Sequence, residues 1–300
     1  MDQALINRDD IRLLRAPWED FVPKKEPVYE DVHGLMGEIE AEVWGTPLMF
    51  EGPPATGKST AIQYFAYKKQ IPIVSFDCSE DTRAHHMRGN YLISAKGMDF
   101  VLGFASAAID IANETKGCIL LLEEVNSLTP QIQKALNPIL DWRRELNVPE
   151  AGRIFRVNTD ALFWVVLTMN NAEHGGTYEL NHDFMSRVTP LPVEYYTEEQ
   201  ELIVVKKNLP MLKIDKPNKI GSTDISPLDK KIKLVTRLAR ESRQGKTDYS
   251  LTTRCIIQFL TKWEKRGLES ACKMISGKFA RGSERDWAKG RITSIFGIIL

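Results

Sequence analysis

Four short, continuously apolar runs punctuate the first part of the chain: PLMFEG at 47–52, IPIVSFD at 71–77, CILLLEE at 118–124 and FWVVLTMN at 163–170. Helical patterns fill the intervals. A strand that is apolar on both sides must be covered on both sides, so this alternation predicts a parallel sheet flanked by helices. TPLPVEYY at 189–196 is a fifth candidate strand. Two hairpins are expected as interruptions, one over 147–160 with Pro149, Gly152 and the strand-like RIFRV, the other over 91–100 with Lys96 and Gly97 at its tip. Upstream, Val32, Leu35, Met36, Ile39 and Val43 recur at helical spacing in a run that starts at Val28 and is closed by Gly45 and Pro47. Beyond Thr197 the strands stop, and amphipathic helices are predicted near 198–207, 228–243, 251–263 and 268–279, with a Pro- and Lys-bearing loop over 208–227. The expected organisation is an N-terminal arm over 1–27, an α/β core over 28–196 and a small all-helical lid over 197–300. The arm mixes charges with Pro17, Pro23 and Pro27, and Trp18 and Phe21 are its candidate anchors.

Composition narrows the function classes. Forty basic and forty acidic residues cancel, so no global field draws a polyanion, although local basic patches stay possible. Cys78, Cys118, Cys255 and Cys272 are widely spaced without a CxxC or Cys/His cluster, which argues against a zinc site or disulfide framework and for buried thiols in a reducing compartment. MDQALINRDD carries charges where a signal peptide needs an apolar core. No apolar stretch approaches the ~20 residues of a membrane span, so the cytosol is the expected location.

The chemistry enters with GPPATGKST at 52–60, which fits G-x-x-x-x-G-K-[ST]. The loop residues are Gly52, Pro53, Pro54, Ala55, Thr56, Gly57, Lys58, Ser59 and Thr60, preceded by a strand pattern and followed by a helix pattern. Glycines let backbone N–H groups curl around phosphate oxygens, and a helix N-terminus adds partial positive charge. Lys58 is the candidate for reaching the β and γ phosphates of ATP, and the Ser59 hydroxyl for ligating Mg²⁺. A glycine-proline turn ending by chance in Lys-Ser is the alternative.

CILLLEE ends a buried strand in two carboxylates, Glu123 as the candidate metal-side acid and Glu124 as the candidate activator of water. The first acid of such pairs is usually aspartate, so Glu123 leaves open a subunit that binds ATP and hydrolyses it slowly. Asn170, ending the next strand, is placed to orient the attacking water, with Asn171 as the alternative by register; either is otherwise a turn residue. Arg187, in NHDFMSRV, is the candidate finger that supplies positive charge to a neighbouring subunit's γ-phosphate, or else a surface arginine in a local ion pair. Arg254 is a candidate for reaching the phosphates in cis from the lid, or else an exposed helix arginine.

These residues together resemble the MoxR-like branch of the AAA+ ATPases, close to the gas-vesicle, cobalt-chelatase and Rubisco-activase-type ATPases. GPPATGKST, LLLEEVNSLTPQIQKAL, VPEAGRIFRVNTDALFWVVLTMNN and NHDFMSRV carry the resemblance, which runs from about Val28 to about Phe296. It implies a P-loop NTPase core with a helical lid and nucleotide at subunit interfaces of a ring that is usually hexameric. It also implies remodelling of a protein client, often beside a partner with a von Willebrand A domain. Two positions depart from the branch's pattern: Glu123 replaces aspartate, and Val188 follows Arg187 where phenylalanine is common.

His85 and His86 are adjacent, so joint metal coordination from one helix is not expected. The pairs Phe163/Trp164 and Tyr195/Tyr196 are expected in the core rather than as base-stacking platforms. Arg143 and Arg144 are expected on a solvated face that a ring interface could recruit, and Lys96, Arg153 or Arg156 are candidates for contact with a docked substrate. Three functions compete: a protein-remodelling ATPase, a nucleic-acid motor or loader on the same fold, and a non-hydrolysing nucleotide-dependent scaffold.

Overall fold

The computed structural model describes residues 13–94, 97–170, 178–209, 219–220, 223–224, 228–279 and 282–300. They divide into two compact units, one holding the described residues through Pro27, His33–Pro53 and Gly57–Val193, the other Val28–Val32, Pro54–Thr56 and the described residues from Glu194 on.

In the first unit the elements run β1 (Leu13–Leu14), α1 (Leu35–Glu42), β2 (Leu48–Glu51), α2 (Lys58–Lys69), β3 (Ile73–Asp77), α3 (Ala84–Arg88), β4 (Gly89–Ser94), β5 (Gly97–Leu102), α4 (Phe104–Thr115), β6 (Gly117–Glu123), α5 (Pro130–Leu140), β7 (Glu145–Val148), β8 (Arg153–Arg156), β9 (Leu162–Met169), α6 (His182–Met185) and β10 (Thr189–Pro192). The predicted strands form one sheet in the order β10-β2-β9-β6-β3, every neighbouring pair parallel. Cys118 to Leu122 of β6 and Phe163 to Leu167 of β9 are buried, as two-sided coverage requires. Ile62 and Phe65 of α2 are buried, Phe65 edge-on to Trp164 of β9, and the small residues Ala105, Ala108 and Ala112 of α4 are buried in the core, where short side chains let a helix lie close.

The strand that leads to Asn170, β9, lies next to the acidic strand β6 and separates it from β2, which feeds the phosphate loop. Crossovers of parallel strands need not place sequence neighbours side by side, and spacing along the chain cannot reveal the order.

The hairpins β4–β5 and β7–β8 are antiparallel, with Ser94 opposite Gly97 and Val148 opposite Arg153. Lys96 lies outside the described residues. Leu13 and Leu14 pair parallel with Phe100 and Val101, and Trp18 and Phe21 pack on the first unit's core, so the described part of the arm lies on that unit. Arg15 reinforces it through Asp110, at 2.5 Å, and Glu114. The helix expected from Val28 starts only at Leu35, because Gly34 holds a left-handed φ of 73° that a right-handed helix cannot include.

The second unit is helical: α7 (Glu198–Asn208), α8 (Leu228–Glu241), α9 (Thr253–Arg266), α10 (Leu268–Ser276) and α11 (Gly282–Phe296). Thr197 opens α7 with a capping box, accepting from the Gln200 amide at 3.2 Å while Gln200 Oε1 accepts from the Thr197 amide at 2.9 Å. α8 ends at Glu241 rather than Arg243 and passes into a π turn over Ser242–Lys246. α11 was not foreseen; Gly290 and the charged ERDWAKGR mask the helical spacing of its buried Ala288, Ile292, Ile295 and Phe296. Its Phe296 closes an aromatic cluster with Phe259 and Trp263, ring centroids 5.4 and 6.1 Å away. Among the described residues no helix is long and apolar enough to cross a membrane. All four cysteines are free and buried, and burial pushes the Cys118 and Cys272 thiols up to about 12.

A buried charge cluster knits the start of α7 to α9 and the π turn. Glu201 is fully buried and accepts from Arg243 Nη2 at 2.9 Å, Arg243 Nη1 at 3.1 Å and Thr253 Oγ1 at 2.8 Å. Removing one partner strands the other charge without solvent. Glu201→Ala is therefore expected to lower unfolding free energy by about 3–5 kcal/mol, read from the chemical-denaturation midpoint of the second unit. A loss below about 1 kcal/mol, the scale of an exposed pair, contradicts this.

Candidate functional site

The phosphate loop follows from where β2 ends. Gly52 leaves the strand at φ 155°, its amide donating to the Met169 carbonyl at 3.2 Å. A Cβ at Gly52 would sit 1.9 Å from the Val193 carbonyl oxygen, so only glycine fits. Pro53 and Pro54 follow, Ala55 (φ 61°) and Gly57 (φ 89°) turn the chain on either side of Thr56, and α2 begins at Lys58. Ser59 and Thr60 occupy its first turn. The opening amides of a helix lack intrahelical acceptors, which is the donor set an anion takes.

Lys58 is the central cation. It is only 7% exposed, and its Nζ donates to the Gly52 carbonyl at 2.8 Å, the Pro53 carbonyl at 2.6 Å and Asn170 Oδ1 at 3.3 Å. Burial pushes this ammonium down to about 8, against the opposing pull of Glu124 and Glu123. Asn170 in turn donates through Nδ2 to Glu124 Oε1 at 3.1 Å. Loop lysine, sensor-position asparagine and second acid thus form one hydrogen-bonded chain. Its register comes from the sheet, since the β6 and β9 pairing ends at Leu122 and Leu167 and brings both strand ends to the same edge.

Ser59 Oγ donates to Glu123 Oε2. The Glu123 carboxyl sits above the ordinary carboxylate range, chiefly through burial, with Asp77 and Glu124 adding repulsion while the Ser59 hydrogen bond and Lys58 oppose it. Among the described residues no group of three or more His, Cys, Asp or Glu side chains is arranged to hold a metal. One hydroxyl and one carboxylate form the partial donor set that suits Mg²⁺ shared with phosphate oxygens and water. The residues therefore fit the metal–nucleotide pair.

Three contributors were missed by sequence reading. Asp77 pairs in register with Glu123 across β3 and β6. Asn126 Nδ2 donates to the Asn170 carbonyl at 2.9 Å, and Asn126 is 3% exposed. Thr168 Oγ1 accepts from the Glu124 amide at 3.3 Å while Glu124 holds a left-handed φ of 55°. The asparagine was visible in LLLEEVN, but its partner needed the strand order.

Arg187 is not brought to this cluster. It precedes β10 and lines a cavity with Pro47 and Phe163, at the amino ends of the parallel strands, whereas the loop leaves the carboxyl end of β2. Its guanidinium contacts the Asp183 carbonyl, and Nε lies 3.5 Å from Asp141 Oδ2. Arg254 is exposed in the first turn of α9, within the second unit. Asn171 lies outside the described residues. His85 and His86 are exposed on α3 with rings 4.1 Å apart, and Phe163, Trp164 and Tyr196 are buried. Arg156 is tied to Glu145 at 2.8 Å across the β7–β8 hairpin.

A family model for the AAA domain, dynein-related subfamily, matches residues 47–188. Protein CbbQ of Hydrogenophilus thermoluteolus is 26% identical over 186 residues, covering 62% of this chain and 67% of that protein. Denitrification regulatory protein NirQ of Pseudomonas aeruginosa is 28% identical over 177 residues, covering 58% of this chain and 65% of its own length. Midasin of Dictyostelium discoideum is 28% identical over 164 residues, 54% of this chain and 3% of midasin. The matched segment thus spans about two thirds of the two bacterial relatives and a small fraction of midasin. Residues 47–188 match the AAA domain of the dynein-related subfamily, and over that segment the chain is similar to the MoxR-like AAA+ P-loop proteins.

Proposed function

We propose that this chain is a magnesium-dependent ATPase subunit that works as a ring and uses each hydrolysis to remodel a protein client. The observation that carries the reading is the continuous chain Lys58–Asn170–Glu124 beside the Ser59–Glu123 pair. Lys58 neutralises phosphate charge, and the loop amides of 52–60 cradle it. Ser59 and Glu123 hold the magnesium, which supplies further neutralisation of the phosphates. Glu124 takes the proton of the attacking water, and Asn170 fixes the water and Glu124 relative to one another. On this reading the core over 28–196 is the motor and 197–300 the lid.

Arg187 is assigned to the neighbouring subunit's site, because its own loop lies at the far end of the strands. Seven-residue β6 alone spans on the order of 20 Å, well beyond the reach of an arginine side chain. A protein client is favoured over nucleic acid by the β4–β5 hairpin. Leu92, Ile93 and Met98 there are 50%, 81% and 39% exposed, an apolar surface with no use for a phosphate backbone. The names CbbQ and NirQ belong to bacterial proteins, one called a denitrification regulator, which is compatible with a client that is an enzyme complex. A von Willebrand A domain protein is the partner class to test first.

Two outcomes test the site. Glu124→Gln is expected to cut turnover on the order of 10²–10⁴-fold while ATP stays bound, measured by phosphate release and nucleotide retention. Turnover equal to wild type returns the scaffold reading. Affinity for Mg-ATP, followed by calorimetry between pH 7 and 9.5, is expected to be flat below about 8 and to fall by up to about tenfold per pH unit above it. The sign follows from the depressed ammonium: above about 8 the free chain has lost the Lys58 proton that phosphate binding must restore. A flat profile to pH 9.5 contradicts Lys58 as the phosphate cation.

A further inference from the structure

Trp142, two residues beyond α5, is 88% exposed. A tryptophan buries 150–250 Å² when it is covered, so this indole is the largest uncovered apolar group among the described residues. It stands at a cavity of about 430 Å³ whose lining includes Pro47, Leu140, Phe163, Arg144 and Arg187. Trp and Arg are the residues that dominate interface energetics.

Three arginines gather around it. Arg143 and Arg187 lie against Asp141, which is held below its usual range chiefly by Arg143; Glu145 also acts on Arg143, and Arg144 donates to the Trp44 carbonyl at 3.3 Å. Arg143 takes the Asp141 carboxylate at 2.7 Å through Nη2 and 3.0 Å through Nε. Arg187 Nε, 3.5 Å away, is buried without a hydrogen-bond partner. The other end of the same sheet has the opposite sign: Asp77, Glu123 and Glu124 terminate β3 and β6, and exposed Glu80 and Asp81 follow, against Lys58 and Arg83. Two complementary faces on one chain, at opposite ends of parallel strands, fit a head-to-tail contact that closes into a ring or runs on as a filament.

We propose that Trp142 is the apolar anchor of a contact between copies of this chain, seated on the carboxylate-bearing end of the next copy's sheet. Arg143 and Arg144 form its basic rim, and the same contact carries Arg187 toward the neighbour's phosphate loop. The direction of the contact rests on the finger role proposed for Arg187; the anchor itself does not.

The test uses the full chain with Mg-ATP, following assembly by sedimentation velocity over a concentration series and turnover in the same samples. Trp142→Ala is expected to raise the assembly dissociation constant at least tenfold, and Trp142→Phe to recover most of the loss. Far-UV circular dichroism and binding of a fluorescent ATP analogue stay at wild-type levels, since the indole supports no part of the core. Arg187→Ala is expected to assemble like wild type and lose turnover. Wild-type assembly by Trp142→Ala, or a wild-type chain that remains monomeric throughout, overturns the anchor. If Trp142→Ala disperses while Arg187→Ala retains full turnover, the anchor stands and the finger reading falls.

Discussion

The parallel direction of the central sheet is the constraint on which the rest depends. Five strands that all run one way have one edge made of carboxyl ends and another made of amino ends. Side chains that terminate β3, β6 and β9 and the loop that terminates β2 therefore meet, although Lys58 and Asn170 are far apart in sequence. The same constraint separates Arg187 from them, because the residues preceding β10 lie at the amino edge. An antiparallel sheet would have mixed these groups; a parallel one sorts them into a loop-bearing acidic edge and an arginine-bearing edge.

Electrostatic tension at the first edge is what makes it receptive. Lys58 is buried and inclined to lose its proton, Glu123 is half-buried and inclined to gain one, and Asp77 and Glu124 crowd the same edge. Backbone carbonyls of Gly52 and Pro53 satisfy the ammonium, but they are neutral acceptors and do not cancel its charge. Phosphate oxygens and a divalent cation are the opposite charges this arrangement lacks, so their arrival relieves both ends at once. The cost of holding Lys58 charged in the free chain is present below about pH 8 and is relieved as pH rises toward the ordinary lysine value.

Local signals were legible where they were self-contained. The glycine spacing of 52–60 identified the loop, two-sided apolar runs identified four of the five strands, and the final residues of CILLLEE and FWVVLTMN identified Glu124 and Asn170 as neighbours. What depended on strand order was not legible: the insertion of β9 between β2 and β6, the alignment of Asp77 with Glu123, and the hydrogen bond from Asn126 to Asn170. α11 was hidden because its glycines and charges dilute an otherwise helical spacing, and α1 was drawn too long because periodicity ignores the left-handed Gly34. Trp142 reads as an ordinary aromatic in LDWRREL; only its exposure distinguishes it.

The central claim is that one active site is assembled from two subunits, the loop, Glu124 and Asn170 from one and Arg187 from the next. Mixing Glu124→Gln chains with Arg187→Ala chains tests it most directly. Each variant alone should be inactive, and a mixture should regain phosphate release, because some interfaces then join an intact loop site to an intact Arg187. Arg187→Ala chains that are fully active alone, or mixtures that regain nothing while co-assembling, would contradict it.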